Sequence, residues 1–144
     1  QKVPYINPSN SKENKCEKGA YVVNLTSHES NVTLVASGTE VELALKVQDK
    51  LKENNIHSKV VSMPCMELFD KQPEDYRKDI LEENSLIITL EAGSVMSWQK
   101  YIKNKGANLG IDKFGESAPY KEVYKHFKLS EEDITNFIQK KLRE

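Results

Sequence analysis

Ser37-Gly38-Thr39 stands between an apolar run and an amphipathic one, where backbone N–H groups at a helix start can hold an anion. No G-x-G-x-x-G and no Walker-type loop accompanies it, so a plain helix cap accounts for the same residues. Cys65 follows Pro64 at a strand end, a place that could present a thiol nucleophile. Such a thiol needs a neighbouring base or cation to lower its pKa, and the sequence places none; a half-buried structural cysteine is the simpler reading. His28, His57 and His126 each stand alone, without a second His or a Cys at metal-ligand spacing, which argues against a zinc site. Glu67, Asp70, Glu74 and Asp75 come as close in sequence as paired carboxylates would. Acids at a helix start and on solvated loops need no catalytic explanation, however. Trp98 with Tyr101 could stack on a ligand, but a core stripe fits their spacing better. By themselves these residues point to no catalytic site.

The elements that would carry them read clearly. Ala20-Tyr21-Val22-Val23-Asn24-Leu25 and Val32-Thr33-Leu34-Val35-Ala36 are short, β-branched and bounded by polar residues, as strands are. Thr39 and Glu42 have capping-box spacing, and Val41, Ala44, Leu45, Val47 and Leu51 fall on one helical face, with Leu43 off it. Val60-Val61-Ser62-Met63 predicts a third strand ended by Pro64, and Pro73 suits the first turn of a second helix. Tyr76, Ile80 and Leu81 would supply that helix's inward side. Ser85-Leu86-Ile87-Ile88-Thr89-Leu90 is almost continuously apolar, as a central strand covered on both faces must be. A helix is expected from about Ser94, with Val95, Trp98 and Ile102 sharing a face; residues 108–111 predict a weaker fifth strand. Ser130 and Asp133 again have capping-box spacing, ahead of a stripe of Ile134, Phe137, Ile138 and Leu142. Lys140, Lys141 and Arg143 stand where the helix dipole favours cations.

From the second strand onward strands alternate with helices, the pattern of right-handed crossovers in a parallel sheet. Only residues 26–31 separate the first two strands, too few for a crossover helix, so one of them must run antiparallel. The expected fold class is α/β: a three-layer α/β/α domain with a mixed, mostly parallel five-stranded sheet. Ligands in such sheets bind beyond the carboxyl ends of the strands, here residues 37–39, 64–65, 91–94 and 112.

Composition narrows the function classes. The 144 residues suffice for one domain with a real core, and 38% apolar with 30% charged is ordinary globular usage. Lys plus Arg total 21 against 22 for Asp plus Glu, interleaved along the chain, which speaks against nucleic acid as a partner. No apolar run approaches a bilayer span, so no membrane partner is expected. The two cysteines, Cys16 and Cys65, sit in different contexts without partner spacing and suit a reducing compartment better than a disulfide framework. Gln1 in place of an initiator Met and the turn-rich start point to a linker over residues 1–17 from missing upstream domains, followed by a domain over 18–144.

Five segments in register resemble one family. They are Lys18-Gly19-Ala20-Tyr21-Val22-Val23, Val35-Ala36-Ser37-Gly38-Thr39-Glu40-Val41, and Ser62-Met63-Pro64-Cys65-Met66-Glu67-Leu68-Phe69-Asp70-Lys71-Gln72-Pro73 with Tyr76-Arg77. Glu91-Ala92-Gly93-Ser94 with Trp98 and Tyr101 follows, and residues 110–119 with Tyr124 and Phe127 close the set. Together they resemble the C-terminal domain of transketolase. The chain departs from that pattern at Glu82, where many relatives have a proline, and at Ser94-Val95-Met96-Ser97, which replaces a small-aromatic-glycine pattern.

The resemblance implies that the antiparallel strand lies at the sheet edge. It implies an enzyme that transfers a two-carbon ketol unit from a ketose phosphate to an aldose phosphate, within the pentose phosphate pathway and the cytoplasm. The family uses thiamine diphosphate with Mg2+ or Ca2+, and the cofactor carries the carbanion chemistry. Its diphosphate-metal site uses a Gly-Asp-Gly signature upstream, and the six glycines here form none, so neither cofactor nor metal is expected on this domain and the fragment alone is expected inactive. The implied partners are the upstream domains of the same chain and a second copy in a homodimer. Glu67, Phe69 and Asp70 in one loop, and Phe114, Ser117 and Pro119 in another, are the expected interdomain or dimer contacts, with Phe69 and Phe114 as exposed aromatic anchors. Ser37, Gly38 and Thr39 remain a weak anion site. The alternative function is a stand-alone module that binds a phosphorylated metabolite without catalysis.

Overall fold

The computed structural model describes residues 15–91, 100–102, 106–110 and 130–144. A 3-10 turn at Lys15–Lys18 leads into β1 (Tyr21–Leu25), β2 (Val32–Ala36) and α1 (Glu40–Glu53). Then come β3 (Ser58–Ser62), two short helices α2 (Met66–Asp70) and α3 (Glu74–Ile80), and β4 (Leu86–Glu91). Strand β5 (Ala107–Gly110) and helix α4 (Glu131–Leu142) complete the described elements. Of the expected linker, residues 15–17 fall within this range and are part of the 3-10 turn.

The sheet has five strands in the order β1-β3-β2-β4-β5. β2 pairs in parallel with β3 and β4, with Leu34 opposite Val60 on one side and Ile88 on the other. β5 joins β4 in parallel, Leu90 opposite Leu109. β1 runs antiparallel at the edge beside β3, Tyr21 opposite Ser62, with a register shift between Val22 and Asn24. The six-residue connection after β1 thus carries the chain past β3 to the sheet centre, held where Thr26 N–H bonds Ser58 O at 3.1 Å and Asn31 N–H bonds His57 O at 3.1 Å. The mixed sheet with an antiparallel edge strand is as expected.

Period-two alternation divides the core into two layers. Val32, Leu34, Ala36, Val60, Ile88 and Leu90 face α1 and α4, where Val41, Ala44, Val47, Leu51, Ile134 and Ile138 meet them. Val35, Val61 and Ile87 face the other way, onto Met63, Phe69, Ile80, Leu81 and Tyr101. Each fully buried aliphatic side chain contributes about 1.5–3 kcal/mol relative to exposure. Covering both faces is what makes β4 so continuously apolar.

Three local expectations are corrected. Thr39 makes no side-chain cap for α1. Its backbone is already helical (φ −69°, ψ −20°), so its hydroxyl donates instead to the Glu40 carboxylate at 3.0 Å and no box forms with Glu42. Ser130, extended at ψ 168°, does form the expected box with Asp133. Leu142 is exposed at the end of α4; Thr135 is buried there, its hydroxyl donating to Glu131 O at 2.7 Å. Leu43, expected off the inner face of α1, packs half-buried against the core. The helix expected from Ser94 lies mostly outside the described residues, although Tyr101 is buried. Among the described residues no helix is long and apolar enough to cross a membrane.

Candidate functional site

Where β3 ends, Pro64 and Cys65 turn the chain into α2, a helix of five residues and too short to show as a periodicity. The incoming chain packs on this corner. Gly19, at φ +84°, gives its carbonyl to Cys65 N–H at 3.1 Å, while its own N–H bonds Cys16 O at 3.0 Å. A Cβ on Gly19 would lie 2.2 Å from Phe69 N and 2.4 Å from Cys65 O, so only glycine lets the two backbones approach. Tyr76 of α3 donates its hydroxyl to Ala20 O at 2.6 Å, and Lys18 Nζ lies 4.8 Å above the Tyr76 ring.

The expected contact residues separate on this corner. Phe69 is 2% exposed and packs with its ring 6.5 Å from that of Tyr76 and 5.9 Å from that of Tyr101. It is a core residue of this domain, which corrects the expectation of an exposed anchor. The reason is helical phase: once residues 66–70 coil, Phe69 turns toward the sheet and Glu67 and Leu68 turn outward. Leu68 is 40% exposed. Asp70 is exposed too, and accepts from Tyr101 Oη at 2.8 Å and from Lys100 Nζ at 2.6 Å. Burial, then the hydrogen bond to Asp70 and its negative charge, push the Tyr101 phenol well above its ordinary value. Phe114, Ser117 and Pro119 lie outside the described residues.

A cavity of about 380 Å³ opens beside Asp70, floored by Phe69, Leu81 and Tyr101 and edged by Arg77, Lys78 and Glu83. That volume falls within the range of small-molecule pockets, roughly 300–1,000 Å³. Its charges are largely committed to one another, however. Lys78 pairs with Glu74 at 3.1 Å and holds that carboxyl below its usual range, and Lys100 pairs with Asp70. A ligand entering here would have to displace those pairs.

Residues 37–39 end β2 as expected, but the first N–H groups of α1 are taken. Glu40, Val41 and Glu42 N–H bond the carbonyls of Ser37, Gly38 and Thr39 at 3.2, 3.2 and 3.3 Å. The carboxylates of Glu40 and Glu42 also stand in that first turn and oppose an anion. This geometry supports a plain helix start closed by its own backbone carbonyls. Cys65 is half-buried and Cys16 exposed, and the two form no disulfide; His28 and His57 are exposed, and His126 lies outside the described residues. Among the described residues no group of three or more His, Cys, Asp and Glu is arranged to hold a metal ion.

Sequence reasoning missed the partners of Asp70 and the pairing of Lys59 with Glu82. Asp70 lies in the crossover between β3 and β4 and Tyr101 in the connection after β4, so they meet only through the fold, which leaves no local signal.

Comparison with known proteins agrees with this architecture. Residues 19–130 match the family described as the transketolase-like TK C-terminal domain. The transketolase of Bacillus subtilis (strain 168) is 39% identical over 125 residues, covering 85% of this chain and 19% of that protein. The chloroplastic transketolase of Solanum tuberosum is 38% identical over 120 residues, covering 81% of this chain and 16% of that one. The solved transketolase from Leishmania mexicana superposes with a TM-score of 0.75 at 34% identity, over 94% of this chain and 19% of that one. The chain thus spans about a fifth of the length of the curated relatives it matches. Sequence and architecture agree over the same residues, and the chain belongs to the transketolase-like C-terminal domain family.

Proposed function

We propose that this chain works as the C-terminal domain of a transketolase. The whole polypeptide would transfer a two-carbon ketol unit between sugar phosphates in the pentose phosphate pathway, as a cytoplasmic homodimer. The observation that carries this reading is the family match over residues 19–130, joined to relatives about five times longer than the chain. The residues present do not fit thiamine diphosphate and its divalent cation: the chain has no Gly-Asp-Gly, and its described acids and histidines form no metal cluster. Cofactor and metal would therefore be held by the domains upstream, and this chain's own contribution is packing. The turn around α2, with its outward Glu67, Leu68 and Asp70, is the contact surface this reading selects.

The test is the intact mass and N-terminal sequence of the native polypeptide that carries this segment, with its ketol-transfer activity. The expected product is several domains long, has a Gly-Asp-Gly segment upstream and loses activity when thiamine diphosphate is removed. A native product of about one domain, on the order of 100–150 residues, would overturn the reading and favour a free-standing binding module.

A further inference from the structure

Three separate elements close the cavity of about 380 Å³ beside Asp70. Phe69 comes from α2, Leu81 from the end of α3 and Tyr101 from the connection after β4, and all three are buried. The Tyr101 hydroxyl donates to Asp70 at 2.8 Å, so the floor offers ring and aliphatic carbon rather than that donor. One cation on the rim stands apart. Arg77 donates its Nε–H to Gln72 O at 3.0 Å, and this bond sets the plane of the guanidinium. Among the described residues its two Nη groups make no hydrogen bond and no ion pair, and its charge acts on Glu74 less than that of Lys78 does. Those two groups form an end-on fork that matches the two oxygens of a carboxylate.

The charge of the rim decides which anion fits. Arg77, Lys78 and Lys100 are opposed by Asp70, Glu74 and Glu83, so the mouth carries no net charge. A phosphate dianion would face those carboxylates with no surplus of cations to hold it. A monoanion with an apolar body meets a preset fork and an apolar floor. The Lys78–Glu74 and Lys100–Asp70 pairs that such a ligand exchanges are solvent-exposed, and screening leaves little to lose there. We propose that this pocket binds a small aromatic monocarboxylate, its carboxylate on the Arg77 Nη fork and its ring on Phe69, Leu81 and Tyr101. The volume stands at the small end of the ligand-pocket range, roughly 300–1,000 Å³, and suits two linked rings. The rings of Phe69 and Tyr101, already edge to face at 5.9 Å, favour an aromatic partner. The lining side chains all belong to this domain, so the site goes beyond the transketolase reading and does not rest on it.

The test uses the full-length polypeptide and para-benzoylbenzoate, a two-ring monocarboxylate whose ketone crosslinks to nearby C–H bonds under near-ultraviolet light. Peptide mapping then locates the label. In wild type it falls within residues 66–83 and 100–102. Arg77→Met and Arg77→Lys each lower that labelling about tenfold, the change expected on losing a charge-assisted bidentate contact. Glu74→Gln, which releases the Lys78 ammonium, raises it, a gain that loss of folding cannot mimic. Para-methylbenzophenone, the same body without the anion, labels these residues about tenfold less. Equimolar inorganic phosphate does not compete. Absence of label from these residues in wild type would overturn the proposal, as would equal labelling in wild type and both Arg77 variants. Full competition by inorganic phosphate would overturn it too, since the rim would then hold any anion without regard to the body it carries.

Discussion

Lys59 Nζ lies 2.8 Å from Glu82 Oε1 although Lys59 is a mid-strand residue only 3% exposed. Its ammonium also donates to Asp79 O at 2.8 Å, so the charge leaves the core through the gap between α3 and β4. Taking a lysine out of water is costly unless its partners remain. Glu82→Gln is expected to lower stability by about 1–2 kcal/mol in urea unfolding, since the half-exposed carboxylate is partly screened. Lys59→Met, which removes the buried charge itself, should stay within about 1 kcal/mol of wild type. Equal losses in the two variants would show that the pair, and not the buried charge, sets the effect.

Gly19→Ala should be the more damaging of the alanine substitutions at the two described positive-φ glycines, Gly19 and Gly38. Gly19 sits at φ +84°, and the new Cβ would meet backbone, which cannot rotate away as a side chain can. Strain and overpacking together are expected to cost about 3 kcal/mol or more, read as a drop in the denaturation midpoint. Gly38 is the internal control: it too has positive φ, but open space surrounds its Cβ position. Gly38→Ala should cost only the backbone term, about 1 kcal/mol.

Tyr101 gives a pH dependence with a definite sign. Burial and Asp70 raise its folded pKa above the unfolded value near 10.0, so above pH 10 the folded state binds the proton more tightly. The stabilisation is complete below pH 10 and is lost as pH rises through the folded value. Thermal melts should therefore show wild type losing its advantage over Tyr101→Phe above about pH 10. Asp70→Asn, by removing the charge but not the burial, should bring the phenol part of the way back in a spectrophotometric titration. A Tyr101 titration identical in the two proteins would rule out Asp70 as a cause.

Ser58→Ala should leave the domain as stable or more stable. Ser58 Oγ is buried with no hydrogen-bond partner, while Ser58 O accepts from Gln48 Nε2 at 3.1 Å through the backbone. Removing an unsatisfied hydroxyl and keeping the carbonyl bond is expected to gain about 0.5–1 kcal/mol in urea unfolding. Thr33, whose hydroxyl shares a 2.7 Å bond with Ser85 Oγ, is the contrasting case: Thr33→Val should cost about 1 kcal/mol.

The sequence by itself determined the strands, the longer helices and the order of the layers. A continuous apolar run marked β4 as a central strand, the six residues after β1 excluded a crossover, and Ser130 with Asp133 placed the start of α4. These are properties of neighbouring residues, and the period of the backbone makes neighbours readable. The resemblance carried by residues 62–73 singled out the corner around α2.

Only the tertiary structure decided which side chains of that corner face inward. Phe69 was expected outside and Leu68 had no role; a five-residue helix, seated on Gly19, rotates the first into the core and the second into solvent. The joining of Asp70 to Tyr101, and of Lys59 to Glu82, likewise depends on crossovers that bring distant residues together. No local period encodes such meetings. They follow from where the parallel strands place their ends.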